Sequence, residues 1–178
     1  MFQAGLPHFA VGPIVKGFGR GSRELRIPTA NYPDEVVQNL PKEIATGVYC
    51  GFASVNKEEV HKMVMSIGWN PFYENSQKTM ETHIMHNFQD DFYGAELRVV
   101  MLGYLRPEKK FNSVDDLIAE IRADIDAADA LLNDSKFSVY RTNCFFTEDD
   151  NDQQKSTEGV QKTRRRGLCN HVESCILS

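Results

Sequence analysis

The stretch "GVYCGFASVNKEEVHKMVMSIG", residues 47–68, decides the fold class. Its two halves, 47–55 and 61–68, are rich in apolar, aromatic and β-branched residues, which favour extended strands. The polar residues "NKEE" between them are typical of a hairpin loop. The stretch therefore predicts two neighbouring antiparallel strands.

Three further segments extend this pattern. The segments "GPIVKGFG", "TMETHIMHNF" (79–88) and "AELRVVMLGYL" (95–105) also predict strands. Partial alternation in the second of these places Glu81, His83 and Met85 on one face. Successive short strands joined by short loops indicate a mostly β fold, either an antiparallel barrel or a sandwich.

One helix is predicted near the C-terminal end of the fold. Ser113 suits the N-cap, and Asp116 at the third helical position favours the helix start. The apolar stripe that follows is expected to pack on the barrel, with a partner-binding face as the alternative. Its residues recur at spacings of three and four: Leu117, Ile118, Ile121, Ile125, Ala128 and Leu132.

Length, charge and cysteine usage limit the class of protein. The chain has 178 residues, enough for one domain with a core, and its net charge of −5 argues against a dedicated nucleic-acid binder. Four cysteines without zinc-site spacing indicate free thiols and a cytoplasmic location. Few large apolar residues and no aromatic ones follow residue 147, so we predict a folded domain at 1–147 and a disordered tail at 148–178.

The segment "GFGRGSRELRIPTAN", residues 17–31, carries the first candidate site. It matches neither a Walker loop nor a dinucleotide fingerprint. Its glycines, with Lys16, Arg20 and Arg23 around them, suit a phosphate site, although turn glycines or a single RNA-binding "GRG" unit are alternatives. Thr29 and Asn31 would point to one side of an extended chain and offer the neutral oxygens that magnesium accepts, unless they merely satisfy a turn.

Two later segments carry further candidates. Glu81 in "METHIMH" lies on a strand that otherwise faces inward, which makes it a candidate general base, while a metal pair of His83 and His86 is disfavoured because their rings would point to opposite faces. The basic and aromatic residues of "YLRPEKKF" suit either a ligand with a phosphate and a planar ring or a solvated loop.

The order of these motifs is more specific than any one of them. Together "GFGRGS", "IPTANYP", "TGVYCGFASV", "MSIGWNPFY", "METHIMHNFQDDFYG" and "GYLRPEKKF" closely resemble the eukaryotic riboflavin kinases, or flavokinases, over about residues 13–126. The resemblance implies a six-stranded antiparallel β-barrel with Greek-key features and a C-terminal α-helix. It implies a kinase that transfers the γ-phosphate of ATP to the ribityl 5′-hydroxyl of riboflavin, giving FMN and ADP.

The resemblance also implies residue roles. Glu81 would accept the proton of the ribityl hydroxyl, and the loop from Gly17 to Arg23 would cover the ATP phosphates. Thr29 and Asn31 would hold magnesium, with zinc or manganese as alternatives, and Thr29 would also lie near ATP. The other matching positions are Ile84, His86 and Tyr93 for ATP, and Arg106, Lys109 and Phe111 for the flavin.

One position departs from the family pattern. Where the family has "LGIPTAN", this chain has Arg26. If the position needs a positive φ, arginine would cost roughly 1–2 kcal/mol there; otherwise its charge would face the phosphates. We expect an active, monomeric, cytoplasmic kinase without nucleic-acid partners, and a non-catalytic flavin- or nucleotide-binding adaptor is the alternative.

The last four residues, "CILS", match the pattern for prenylation at Cys175. "KTRRR" upstream offers positive charge to an anionic membrane, and Cys169 offers a second acylation site. A chance match of four residues is the alternative, and the riboflavin kinase resemblance does not extend to this segment.

If Cys175 is prenylated, protein from a eukaryotic host will carry the mass of a farnesyl group. The Cys175→Ser variant will lack that mass and will leave the membrane fraction. Intact-mass analysis and fractionation of the two proteins provide the test. Identical mass and distribution of wild type and variant would exclude the modification.

Overall fold

A computed structural model of the chain describes residues 4–17, 27–69 and 78–148. Its strands form one antiparallel sheet with the order β1-β6-β3-β4-β5-β2. The strands are β1 (His8–Pro13), β2 (Ala30–Asn31), β3 (Gly47–Val55), β4 (His61–Trp69), β5 (Lys78–Ile84) and β6 (Glu96–Arg106). The helices are α1 (Asp34–Gln38), α2 (Val114–Leu132) and α3 (Ser135–Ser138), followed by 3₁₀ helices at Val139–Thr142 and Cys144–Phe146.

This topology contains a Greek key. Strands β3, β4 and β5 follow one another as antiparallel neighbours, and β6 returns to lie beside β3. The predicted mostly β fold of six antiparallel strands with a C-terminal helix is therefore confirmed. The strand predicted from residue 12 was placed too late, because His8–Pro13 pairs with β6.

The two edges of the sheet approach each other at one point. Val15, just after β1, forms an isolated antiparallel bridge with Asn31 of β2, and its N–H donates to the Asn31 carbonyl at 2.9 Å. The Tyr32 hydroxyl lies 3.1 Å from the Ala10 carbonyl oxygen and 3.0 Å from that of Leu97. These contacts curl the sheet toward a barrel.

Strand β3 is buried on both faces because it contributes to two cores. Tyr49 and Ala53 belong to the core inside the curl, whereas Cys50 and Phe52 pack in a second core that includes α2. Gly51 is required in this strand because a Cβ there would overlap the Val100 carbonyl oxygen. Burial on both faces explains the nearly continuous apolar run in the sequence.

Helix α2 begins as the sequence predicts, with the Asp116 N–H donating to Ser113 Oγ at 3.1 Å. Only the C-terminal half of its apolar stripe is core, since Ala128 and Leu132 are buried against the sheet. Leu117 and Ile121 in the N-terminal half line a cavity instead. The stripe therefore serves both the fold and a candidate site.

The structure describes the chain as far as Glu148. Apart from Glu148, the tail predicted to be disordered lies outside the described residues. Arg23, Arg26 and Cys175 also lie outside them. Within the described ranges, no helix combines the length and the apolar character needed to cross a membrane.

Candidate active site

Strand β5 lies between two cavities of similar size. Thr82 and Ile84 line a cavity of about 240 Å³, and Glu81 and His83 line another of about 290 Å³. Successive side chains of a strand point to opposite faces, so one strand supplies a wall to each cavity. Thr29, just before β2, lines both.

The smaller cavity, here called the aromatic cavity, brings together four of the predicted ATP-binding residues: Thr29, Ile84, His86 and Tyr93. Phe88 and Phe92 also line it, with ring centroids 4.5 Å apart and ring planes at 64°. Such edge-to-face pairs are favourable beyond their buried area. The cavity thus offers a wall of planar rings to a ligand.

The larger cavity, here called the Glu81 cavity, brings together the predicted base and the predicted flavin-binding residues. Glu81, Arg106, Lys109 and Phe111 all line it. The remaining lining includes apolar side chains of β3, β4 and α2: Val48, Val64, Leu117 and Ile121. The combination suits a ligand with an apolar planar part and polar groups.

The two cations of the Glu81 cavity are paired with carboxylates of α2. Arg106 donates from Nε and Nη2 to the two oxygens of Asp124 at 2.8 and 2.7 Å, and Lys109 Nζ lies 2.8 Å from Glu120 Oε2. The Asp124 hydrogen bonds raise the pKa of Arg106, and the hydrogen bond from Lys109 lowers that of Glu120. The positive charge expected from the sequence is therefore balanced locally.

The start of the glycine segment lies against the predicted metal ligand Asn31. A Cβ on Gly17 would come within 2.9 Å of Asn31 Cγ, so only glycine allows this approach. Asn31 in turn pairs in register with Glu81 of β5. Neither Gly17 nor Asn31 lines the two cavities, whereas Thr29 lines both.

The two histidines of "METHIMH" face different cavities, as the sequence predicts. His83 Nδ1 lies 2.9 Å from the Pro28 carbonyl oxygen, so this nitrogen carries the proton and donates. The bond ties β5 to the residue that precedes Thr29. No group of three or more His, Cys, Asp and Glu residues within the described ranges is arranged to hold a metal ion.

Sequence reasoning missed Asp124 and Thr82, which line the two cavities, and Glu120, which pairs with a lining residue. Asp124 and Glu120 lie on α2, far along the chain from the cations they pair with, and no sequence pattern marks those contacts. The sequence itself marks Thr82, because this polar residue alternates with the apolar residues Met80 and Ile84 on one face of β5. Its hydroxyl is buried without a hydrogen-bond partner among the described residues.

Comparisons with known proteins identify relatives over the same region. A family model described as "Flavokinase: Riboflavin kinase" matches residues 4–132. The chain is 60% identical to human riboflavin kinase over 123 residues, 69% of this chain and 79% of the human one. Mouse riboflavin kinase is 57% identical over 72% of this chain and 83% of its own. The crystal structure of riboflavin kinase from Trypanosoma brucei superposes with a TM-score of 0.64 at 25% identity, covering 79% of this chain and 88% of that one.

Thr82→Val is expected to raise the free energy of unfolding by about 1 kcal/mol. The substitution replaces a buried, unpartnered hydroxyl by a methyl group of similar volume, which removes a desolvation cost. Chemical denaturation measures the change. Thr79→Val is the control on the same strand, because the Thr79 hydroxyl already contacts the Gly68 carbonyl at 3.5 Å, and this variant is not expected to gain stability. A less stable Thr82→Val protein would contradict the prediction.

Proposed function

The chain belongs to the flavokinase family, the riboflavin kinases, and we propose that its Glu81 cavity binds riboflavin while its aromatic cavity binds ATP. The family match confirms the riboflavin kinase activity that the sequence predicts. The assignment of the cavities is supported by one observation above all. Strand β5 separates the predicted flavin residues from the predicted nucleotide residues, with Glu81 facing the flavin side.

In the proposed reaction, the ribityl 5′-oxygen of riboflavin attacks the γ-phosphorus of ATP. A new P–O bond forms, the bond from the γ-phosphorus to its bridging oxygen breaks, and FMN and ADP result. Such transfers depend on positioning and on charge stabilisation, with a carboxylate near the nucleophile. Glu81 takes the hydroxyl proton, and Thr29 lies where the substrates meet because it lines both cavities.

Thr29 and Asn31 are proposed to hold magnesium. Hydroxyl and amide oxygens are hard donors, which fits magnesium better than zinc, since zinc favours nitrogen and sulfur ligands. Manganese would accept the same donors. Magnesium, when bound, neutralises part of the phosphate charge. Gly17 lies against the Asn31 side chain, and pairing with β5 places Asn31 opposite Glu81.

Both cations of the Glu81 cavity are paired with carboxylates of α2, which suits riboflavin, since riboflavin carries no net charge. Phe111 with Val48, Val64 and Ile121 offers apolar contact to the ring system. Arg106 is oriented by its two bonds to Asp124 and lines the cavity. Lys109, with its side chain about half exposed, remains able to exchange Glu120 for a ligand.

The chain is further proposed to act as a monomer in the cytoplasm, without nucleic-acid partners. Cys50 is a free thiol buried in the core, which is compatible with a reducing compartment. Burial raises the pKa of the Cys50 thiol to about 12, so this residue stays protonated and serves as a core side chain. Formation of FMN from riboflavin and ATP by the purified chain distinguishes the kinase from a binding adaptor.

Glu81→Gln is expected to lower kcat by about 10²–10⁴-fold, because the amide keeps the shape of the side chain but cannot accept the proton. Riboflavin affinity, followed by flavin fluorescence, should stay within a few fold of wild type. Ser66→Ala is a matched control, since Ser66 pairs with Glu81 across β4 and β5 and lines the same cavity. A Glu81→Gln enzyme with nearly full turnover would show that another group accepts the proton.

Thr29→Val and Asn31→Leu each remove one proposed oxygen ligand. Both variants are expected to need more magnesium for half-maximal rate and to bind ATP more weakly, with a smaller effect on riboflavin. Steady-state rates over a magnesium titration at fixed ATP measure this change. Unchanged metal dependence and ATP affinity in both variants would place the metal elsewhere.

A further inference from the structure

His61 lines neither cavity, but its ring stacks on His86, which lines the aromatic cavity. The His61 and His86 rings have centroids 4.1 Å apart and planes at only 20° to each other. We propose that His61 is a positioning residue for the nucleotide, holding the ring of His86 in the wall of the aromatic cavity. The inference rests on the proposed binding of ATP in that cavity.

The stack continues into the cavity as a row of rings. His86 meets Phe88 edge to face at 4.8 Å, and Phe88 meets Phe92 in the same way at 4.5 Å. The last three of these rings line the aromatic cavity. A change in the ring of His86 is therefore transmitted to Phe88 directly and to Phe92 through Phe88.

The two stacked histidines differ in how the backbone supports them. His61 is the first residue of β4 and pairs in register with Ala53 of the buried strand β3. His86 and Phe88 follow the end of β5 at Ile84, and the last bond to β4 runs from the Met85 N–H to the Lys62 carbonyl. His61 is thus the ring anchored in the sheet, and His86 is the ring that needs an anchor.

The surroundings of His61 favour the uncharged form of its imidazole. Burial lowers the pKa of His61, and His86 and Arg141 lower it further, against the opposing effect of Glu59 at 4.0 Å. The imidazole of His61 is therefore uncharged near pH 7. Because the two rings lie nearly parallel, their nitrogens do not converge on a point as metal ligands would.

The test compares three substitutions of His61 in the full chain. His61→Ala removes the ring, His61→Leu keeps bulk without a planar face, and His61→Phe keeps a planar ring. We expect Ala and Leu to raise the KM for ATP and the Kd for magnesium–ATP by roughly three- to tenfold, the loss of one aromatic pair. Their kcat and their KM for riboflavin should stay within twofold of wild type, and His61→Phe should restore ATP affinity to within twofold.

Two further variants separate this proposal from the assignment of the cavity. His8→Ala, at a half-buried histidine of β1 outside both linings, should leave ATP affinity unchanged. Tyr93→Ala, within the aromatic cavity, should weaken ATP whether or not His61 has a role. Riboflavin affinity of each protein, from quenching of flavin fluorescence, reports that the fold is intact.

Specific outcomes overturn the proposal. If Tyr93→Ala weakens ATP but His61→Ala and His61→Leu do not, the ATP site stands and the positioning role falls. If ATP affinity is unchanged in all of these variants, the aromatic cavity is not the ATP site and both proposals fall. Equal losses for riboflavin and ATP, or no recovery in His61→Phe, would show a general structural role only.

Discussion

The two-residue period of strand β5 is the constraint on which the candidate site depends. A strand held between two neighbours must present alternate side chains to opposite faces. In β5 this rule sends Glu81 and His83 to one cavity and Thr82 and Ile84 to the other. A shift of one residue in register would exchange the two sets, so pairing with β4 along the full length of β5 protects the chemistry as well as the fold.

The short strand β2 completes the site because it lies where the sheet curls closed. Asn31 pairs with Glu81 on one side and bridges to Val15 on the other, which brings Gly17, the proposed metal ligands and the proposed base to one place. Burial raises the pKa of the Tyr32 phenol, which stays protonated beside the Ala10 and Leu97 carbonyls. The closing contacts of the sheet are therefore also the contacts that assemble the site.

Local sequence patterns predicted most elements because each signal acts over a few residues. The apolar run of β3 and the Ser113 cap of α2 both appear at the predicted places. The strand predicted at 79–88 ends earlier, at Ile84, because the Met85 N–H makes the last bond to β4 and the chain then turns. The stacking of His61 on His86 depends on the approach of two segments, so neither local sequence contains a sign of it.

The sequence by itself determined the fold class, the family and the residue types of the site, because strand periodicity, capping and ordered motifs are properties of the linear chain. Tertiary structure alone decided which cavity each residue faces and how its charge is balanced. The sequence alone indicated no partner for Arg106 or Lys109. In the structure, Asp124 and Glu120 of α2 pair with them. Such pairing depends on the distance between side chains in space, which is set only when the helix packs across the curled sheet.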